Sequence, residues 1–255
     1  MLAHVLIHPL VYPLAVSLAV NKFGAFSPLT LSPSLWLDAS DTTTLYDATS
    51  GGALVAPDGG VARWQDKSGN ARHATQVTAG ARPLRKSAIL NGKSVLRFDG
   101  VDDVLGHPLG VVGDNTVFMV VKSTAVGGGT RILFSATSPN DSLNVYLRED
   151  NAANWGVYRI SGLKSSGQSV IGAYKIISTQ SVGANGSFTQ NGTLIPFTDT
   201  GFYSDANLRR GIGGNGFGAE NFNGDIAEIL VFPTALSTTD RAKVESYLNL
   251  KWAVY

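Results

Sequence analysis

The stretch TVFMVVK, Thr116–Lys122, is apolar on both of its alternating faces, with Val117, Met119 and Val121 on one and Phe118 and Val120 on the other. Successive side chains of a strand point to opposite sides, so a strand with no polar face belongs at the centre of a sheet covered above and below. A two-sheet sandwich supplies that setting. Around it the chain reads as short strands: VLRF, RILFSA, SLNVYLR, WGVYRI, YKIISTQ and DIAEILVF are rich in β-branched and aromatic residues and are bounded by Gly, Asn, Asp, Ser or Pro. Asn-Gly pairs at Asn91, Asn185, Asn191, Asn215 and Asn223, and Asp-Gly pairs at Asp58 and Asp99, offer the positive φ angles that tight hairpins need. In SFTQNGTLIPF the pair Asn191-Gly192 separates two alternating runs and predicts a hairpin.

One helix is expected, near the C-terminus. Within LSTTDRAKVESYLNLKW, Ser237 and Asp240 form a capping-box-like start, and Val244, Tyr247, Leu248 and Trp252 recur at helical spacing. It should pack on the outside of the sandwich. No linker and no repeat of fixed period interrupts the pattern, so one domain from residue 34 to 255, preceded by an arm over residues 1–33, accounts for the chain.

Composition narrows the function classes. The 255 residues carry 20 basic and 19 acidic side chains, for a formal charge of +1, with no basic stripe of the kind a phosphate backbone requires. Nucleic acid is therefore excluded as an expected partner. Zero cysteines remove disulfides and thiolate metal sites.

The arm is the sharpest departure from this background. Fifteen of the first twenty residues are apolar, and Lys22 is the only charged side chain before Asp38. Leu10, Tyr12, Leu14, Val16, Leu18 and Val20 alternate with smaller or polar residues, a period-two pattern, while Pro9 and Pro13 would disturb a helix but suit an extended segment. An extended arm covered by a neighbouring subunit is the preferred reading, with those six residues as the oligomer contact. A strand of its own sandwich and a membrane anchor are the alternatives; a cleaved leader is disfavoured because no Lys or Arg precedes the apolar run. His4 and His8 share the spacing of a zinc-binding helix but lack its glutamate and its helical pattern.

The motifs LWLDASD (35–41), RWQDKSGNARHATQ (63–76), NGKSVLRFDGVDDVL (91–105), YKIISTQ (174–180) and FNGDIAEILVFPTALS (222–237) together resemble the LamG-like jelly roll of the concanavalin A-like lectin/glucanase superfamily. The resemblance spans about Ser34 to Tyr255. It implies an all-β, two-sheet antiparallel jelly-roll sandwich with one C-terminal helix, here extended by the N-terminal arm, and a carbohydrate- or protein-binding role. Domains of this kind with an added N-terminal segment also resemble virion components of tailed phages: capsid decoration proteins, head fibres and tail adhesins. The resulting expectation is a non-catalytic virion protein for host attachment, homo-oligomeric, joined to other virion subunits by its arm and displaying a lectin-like domain to surface glycan. A secreted or membrane-anchored bacterial carbohydrate-binding protein is the alternative, and a glycan hydrolase the third.

Three site expectations accompany this reading. A sugar needs an aromatic face and fixed polar groups; Trp155, Tyr158 and Tyr203 are the stacking candidates, with Asn154 and Asn215 for hydrogen bonds, whereas Trp36, Trp64 and Trp252 should be packed. Asp99, Asp102 and Asp103 should shape the turn after VLRF, with calcium on Asp102 or Asp103 the alternative and no cofactor otherwise. Asp66 should fix its own turn in DKSGN. No catalytic residue is expected: Asp225 and Glu228 in GDIAEIL stand three apart, which on a regular strand puts them on opposite faces, no serine elbow or His-Glu-x-x-His is present, and His73 and His107 read as ordinary surface or loop histidines. GIGGNG, Gly211–Gly216, fits a dinucleotide fingerprint but lacks the following helix, and reads as a glycine-rich loop.

Overall fold

The structure, a computed structural model, describes residues 26–111, 113–124, 131–136, 145–149, 154–159, 162–183, 185–198, 210–215 and 220–255. In chain order its strands are β1 (Leu35–Asp38), β2 (Leu45–Tyr46), β3 (Arg63–Trp64), β4 (Ala74–Thr75), β5 (Leu84–Leu90), β6 (Lys93–Asp99), β7 (Leu105–Gly106), β8 (Asn115–Ser123), β9 (Arg131–Ala136), β10 (Val145–Glu149), β11 (Asn154–Arg159), β12 (Gly162–Ser169), β13 (Lys175–Val182), β14 (Asn185–Gln190), β15 (Thr193–Thr198), β16 (Gly211–Ile212) and β17 (Asn223–Phe232), followed by one helix, α1 (Thr238–Trp252). They form two antiparallel sheets. The first runs β15-β14-β13-β8-β17-β6-β5 with β1 also paired to β17, and the second runs β12-β11-β10-β9-β16-β7-β4-β3-β2. This is the all-β sandwich expected from the sequence. The arm residues Leu10 to Val20 lie outside the described residues.

Strand β8 is central, between β13 and β17. Its Val117, Met119 and Val121 join the core between the sheets, with Leu96, Phe98, Phe134, Trp155, Ile177 and Val231. Its Phe118 and Val120 enter a second core, where Trp36, Leu230 and Phe232 meet Val244, Leu248 and Trp252 of α1. The helix, rather than a third sheet, is what covers that face. Its start follows the sequence: the Ser237 hydroxyl accepts from the Asp240 amide at 3.1 Å and donates to the Asp240 carboxylate at 2.8 Å.

Strand β17 contains the one irregularity that places the polar side chains. Against β8, Ile226 pairs with Val121 but Glu228 pairs with Val120, so Ala227 is an extra residue. Such a bulge shifts side-chain parity. Ile226 and Ile229, three apart, therefore both face the inter-sheet core, while Ala227, Leu230 and Phe232 face the helix. At the same place β17 exchanges its other neighbour, pairing β6 through Asn223–Ile226 and β1 through Glu228–Val231.

Hairpin turns fall at Asn191-Gly192 (φ 48° and 76°) and Asn91-Gly92 (φ 47° and 69°). Asn185-Gly186 and Asn223-Gly224 instead lie inside strands. There the glycine serves close packing: a Cβ on Gly186 would strike the Phe197 ring and one on Gly224 the Lys122 carbonyl oxygen. Replacing Gly192 with Ala places a side chain in the left-handed region at a cost of about 1–2 kcal/mol. The expected outcome is a fall in Tm of about 2–8 °C with the fold retained by circular dichroism; an unchanged Tm would show that the turn does not require glycine.

Candidate functional site

Of the sugar-site candidates, Trp155, Asn154 and Asn215 are not brought together on one surface. Trp155 on β11 is fully buried, its indole nitrogen donates to the Gln190 side-chain oxygen at 2.8 Å, and its ring meets Phe188 edge-on at 5.0 Å. It bridges the two sheets, so the expectation that it stacks on a ligand is corrected; its flanking Asn154 and Gly156 suggested exposure, but Trp155 is on the inward side of the strand. Asn215 is buried too, with its amide 3.4 Å from the Glu220 carboxylate, and Asn154 is half-buried. Asn215 follows β16, which is separated from β11 by β9 and β10 in the same sheet. Tyr158 belongs to β11, and Tyr203 lies outside the described residues.

A polar cluster that the sequence reading did not anticipate lies between the first sheet and α1. Because of the bulge, Asp225 and Glu228 sit on the same face of β17, which corrects the expectation that they point apart. Glu228 is 1% exposed and both of its oxygens are saturated. Oε1 accepts from Trp36 Nε1 at 2.8 Å and Tyr247 OH at 2.9 Å, and Oε2 from Lys251 Nζ at 2.8 Å and Trp252 Nε1 at 2.6 Å. Asp38, the cross-strand partner of Glu228, bonds Lys251 at 2.7 Å and Lys67 at 2.9 Å, and Lys67 reaches Asp41 at 2.8 Å. Burial pushes the Asp38 carboxyl up, yet Lys251 and Lys67 together hold it below its ordinary value. Glu228 moves the other way, raised by burial and by the neighbouring Asp38 charge. Asp225, fully buried, takes a bidentate contact from Arg97 at 2.7 and 2.9 Å and accepts from Tyr174 OH at 2.5 Å.

Asp38 and Glu228 are buried and paired with protein groups, and with Lys251 they fasten β1, β17 and α1 together, while Asp225 ties β17 to Arg97 of β6 and to Tyr174. Lys251→Met would leave Glu228 and Asp38 without their shared cation, and breaking a buried pair in this way costs about 3–5 kcal/mol. Denaturant unfolding checks this; a loss below about 1 kcal/mol would show the cluster to be dispensable.

Other expected turn formers behave as read. Asp66 accepts from the Trp36 and Ser68 amides at 2.9 Å and from the Arg72 amide at 3.0 Å. His73 accepts the Asp66 amide at 3.1 Å. His107 departs from expectation: it is buried, stacked on Phe134 at 5.1 Å with Nε2 3.0 Å from the Ser135 carbonyl oxygen, and burial pushes its pKa down to about 4. Gly211 and Ile212 of the glycine-rich segment are a short strand paired to β7 and β9. A cleft of about 330 Å³ lined by Ser32, Ser34, Ser68, Asn70 and Arg72 has its donors turned inward, Asn70 and Arg72 reaching the Ser34 carbonyl at 3.3 and 2.8 Å.

In the acidic loop, Asp99, Asp102 and Asp103 bring carboxylate oxygens within 4.8 Å of one another. Asp99 Oδ1 accepts from the Val101 amide at 2.8 Å and Asp103 Oδ2 from the Asp99 amide at 2.9 Å, which is the turn-forming role. Burial, followed by the charges of Asp99 and Asp102, pushes Asp103 up from 3.8 to about 6. The native state thus holds this proton more tightly than the unfolded chain, so the group lowers stability as pH rises through roughly 4 to 6. Asp103→Asn, which can still accept the Asp99 amide, should raise Tm relative to the parent at pH 7 and leave it unchanged at pH 3.5; equal effects at both pH values would contradict the shift.

No protein-family model and no curated protein matches the sequence. Solved structures match the fold. A Trypanosoma rangeli sialidase in complex with 2,3-difluorosialic acid has a TM-score of 0.56 at 15% identity over 86% of this chain and 33% of its own. The same sialidase with the inhibitor DANA gives 0.55 at 15% identity over 83% and 32%. The ligand-binding domain of botulinum neurotoxin serotype D, in complex with N-acetylneuraminic acid, gives 0.54 at 14% identity over 84% of this chain and 50% of that one. The chain thus spans about a third of the length of the sialidase it matches. The shared feature is the β-sandwich, a fold found in glycan-binding and glycan-acting proteins. The expectation of a non-catalytic chain is corrected by the same finding: the matches include a sialidase, so the absence of a glucanase-type acid pattern expected from the sequence does not separate a binder from an enzyme.

Proposed function

We propose that the chain is a glycan-recognising jelly roll of the LamG-like kind, carried in several copies on a larger assembly, a tailed-phage virion, to which its apolar N-terminal arm fastens it. The observation that carries the glycan part is the likeness, over more than four-fifths of the chain, to two sandwich-containing proteins solved with sialic acid-type ligands. Support for the assembly part comes from the fifteen apolar residues among the first twenty, which need a protein cover, and from the LamG-like motifs. No helix among the described residues is long and apolar enough to cross a membrane. With Trp155 interior, the stacking candidates that remain are Tyr158 and Tyr203, with Asn154 on the same strand as Tyr158 for hydrogen bonds. Multiple copies would raise the apparent affinity of a shallow site without any new contact.

A second reading, glycan hydrolysis, is favoured by the sialidase likeness. Incubation of the full chain with immobilised sialylated and neutral glycans distinguishes the two. Retention without released sugar supports binding, with Tyr203→Ala weakening it about tenfold, or ~1.4 kcal/mol; released sialic acid or reducing ends replaces it with the enzymatic reading. Neither retention nor release across both panels overturns the glycan assignment.

A further inference from the structure

A cleft of about 300 Å³ opens between α1 and the β14–β15 hairpin, lined in part by Thr189, Gly192, Leu194, Arg241, Glu245 and Ser246. Phe188 of β14 enters the inter-sheet core, so its neighbour Thr189 faces the helix side, and Leu194, the cross-strand partner of Thr189, is 53% exposed. Two side chains of α1 meet this floor. Glu245 Oε1 accepts from the Gly192 amide at 2.8 Å and from the Tyr255 hydroxyl at 3.2 Å, while Oε2 has no hydrogen-bond partner among the described residues. Arg241, one turn earlier on the helix, donates from Nη1 to Ser187 Oγ at 2.9 Å and to Gln180 Oε1 at 3.3 Å, and its Nε and Nη2 have no partner among the described residues. Tyr255, bonded to Glu245, is 55% exposed, the one aromatic among the exposed large apolar side chains described. It is nevertheless fixed in place: its amide donates to Asn249 Oδ1 at 3.0 Å and its carbonyl oxygen accepts from Asn249 Nδ2 at 2.6 Å.

From these observations, and on the basis of the glycan reading above, we infer that the cleft is a subsite for one neutral hexopyranose unit of a glycan. It lies on the first sheet, whereas Tyr158 belongs to the second. A pyranose ring offers an apolar face of C–H groups and a rim of hydroxyls, each of them both donor and acceptor. Tyr255 and Leu194 supply the apolar surface, Glu245 Oε2 accepts a hydroxyl proton, and the open N–H groups of Arg241 donate to hydroxyl oxygens. Because Tyr255, Glu245 and Arg241 are already held by hydrogen bonds, little freedom is lost when a sugar arrives. The volume is at the low end for ligand pockets and suits a single ring. Charge selects the class of sugar: an open carboxylate oxygen at the contact repels an anionic ring, and one guanidinium only balances it.

Saturation-transfer NMR on the full chain tests this, with methyl α-glucoside, methyl β-galactoside and methyl α-mannoside as neutral probes and N-acetylneuraminic acid as the anionic one. At least one neutral glycoside is expected to bind. Tyr255→Ala should weaken that binding about fivefold, and Glu245→Gln, which can still accept the Gly192 amide, about tenfold, both with the parent's circular dichroism spectrum. Tyr255→Phe, which keeps the ring, should stay within about twofold of the parent. A neutral glycoside bound equally by the parent, Tyr255→Ala and Glu245→Gln overturns the cleft as its site and leaves the glycan reading standing. Binding of N-acetylneuraminic acid alone does the same. If none of the four probes binds, the cleft assignment is overturned, and the glycan reading is decided separately by the immobilised sialylated and neutral panels.

Discussion

A buried carboxylate is tolerable only when every lone pair finds a donor, and Glu228 meets that demand with four groups drawn from two elements. Trp36 comes from β1; Tyr247, Lys251 and Trp252 come from α1. The charge can therefore be satisfied only when the helix is docked. Docking is also what covers Phe118, Val120, Leu230 and Phe232 on the outer face of the first sheet. The bulge at Ala227 is the condition for both, because it turns Glu228 out of the inter-sheet core and toward the helix while returning Ile229 and Val231 to it. One extra residue in one strand thus joins a two-sheet sandwich to a third layer.

The segments that carried the family resemblance meet at this joint. LWLDASD contributes Trp36, Asp38 and Asp41; DKSGN contributes Asp66 and Lys67; GDIAEIL contributes Asp225 and Glu228. Their polar residues pair with one another and with backbone amides, and Asp38, Asp66, Asp225 and Glu228 are buried.

Legibility followed local pattern. Strands such as TVFMVVK, RILFSA and DIAEILVF were visible because β-branched and aromatic runs are long enough to signal themselves, and the SFTQNGTLIPF hairpin because its turn residues sit between two alternating runs. Strands β5 (LRKSAIL) and β12 (GLKSSGQS) were missed. Both are edge strands, one the last of each sheet, and half-exposed edges accept Lys, Ser and Gly that carry little strand preference. The site was less legible still. Trp155 and His107 looked exposed because their sequence neighbours are small or polar, yet burial is decided by which side of the strand a residue occupies and by what the opposing sheet places there. Asn185-Gly186 and Asn223-Gly224 looked like turns, and tertiary packing against Phe197 and Lys122 put them in strands.

By itself the sequence determined an all-β sandwich, its single C-terminal helix with a Ser237 cap, and an apolar segment at the N-terminus, because each follows from periodicity and local hydrogen bonding within a few residues. Only the tertiary structure decided that Asp225 and Glu228 share a face, that Lys251 joins Asp38 to Glu228, and that Phe26 packs against Tyr247 of α1. Those facts depend on residues as far apart as 38 and 251. Their proximity arises from a bulge and a strand exchange that leave no periodic mark on the chain.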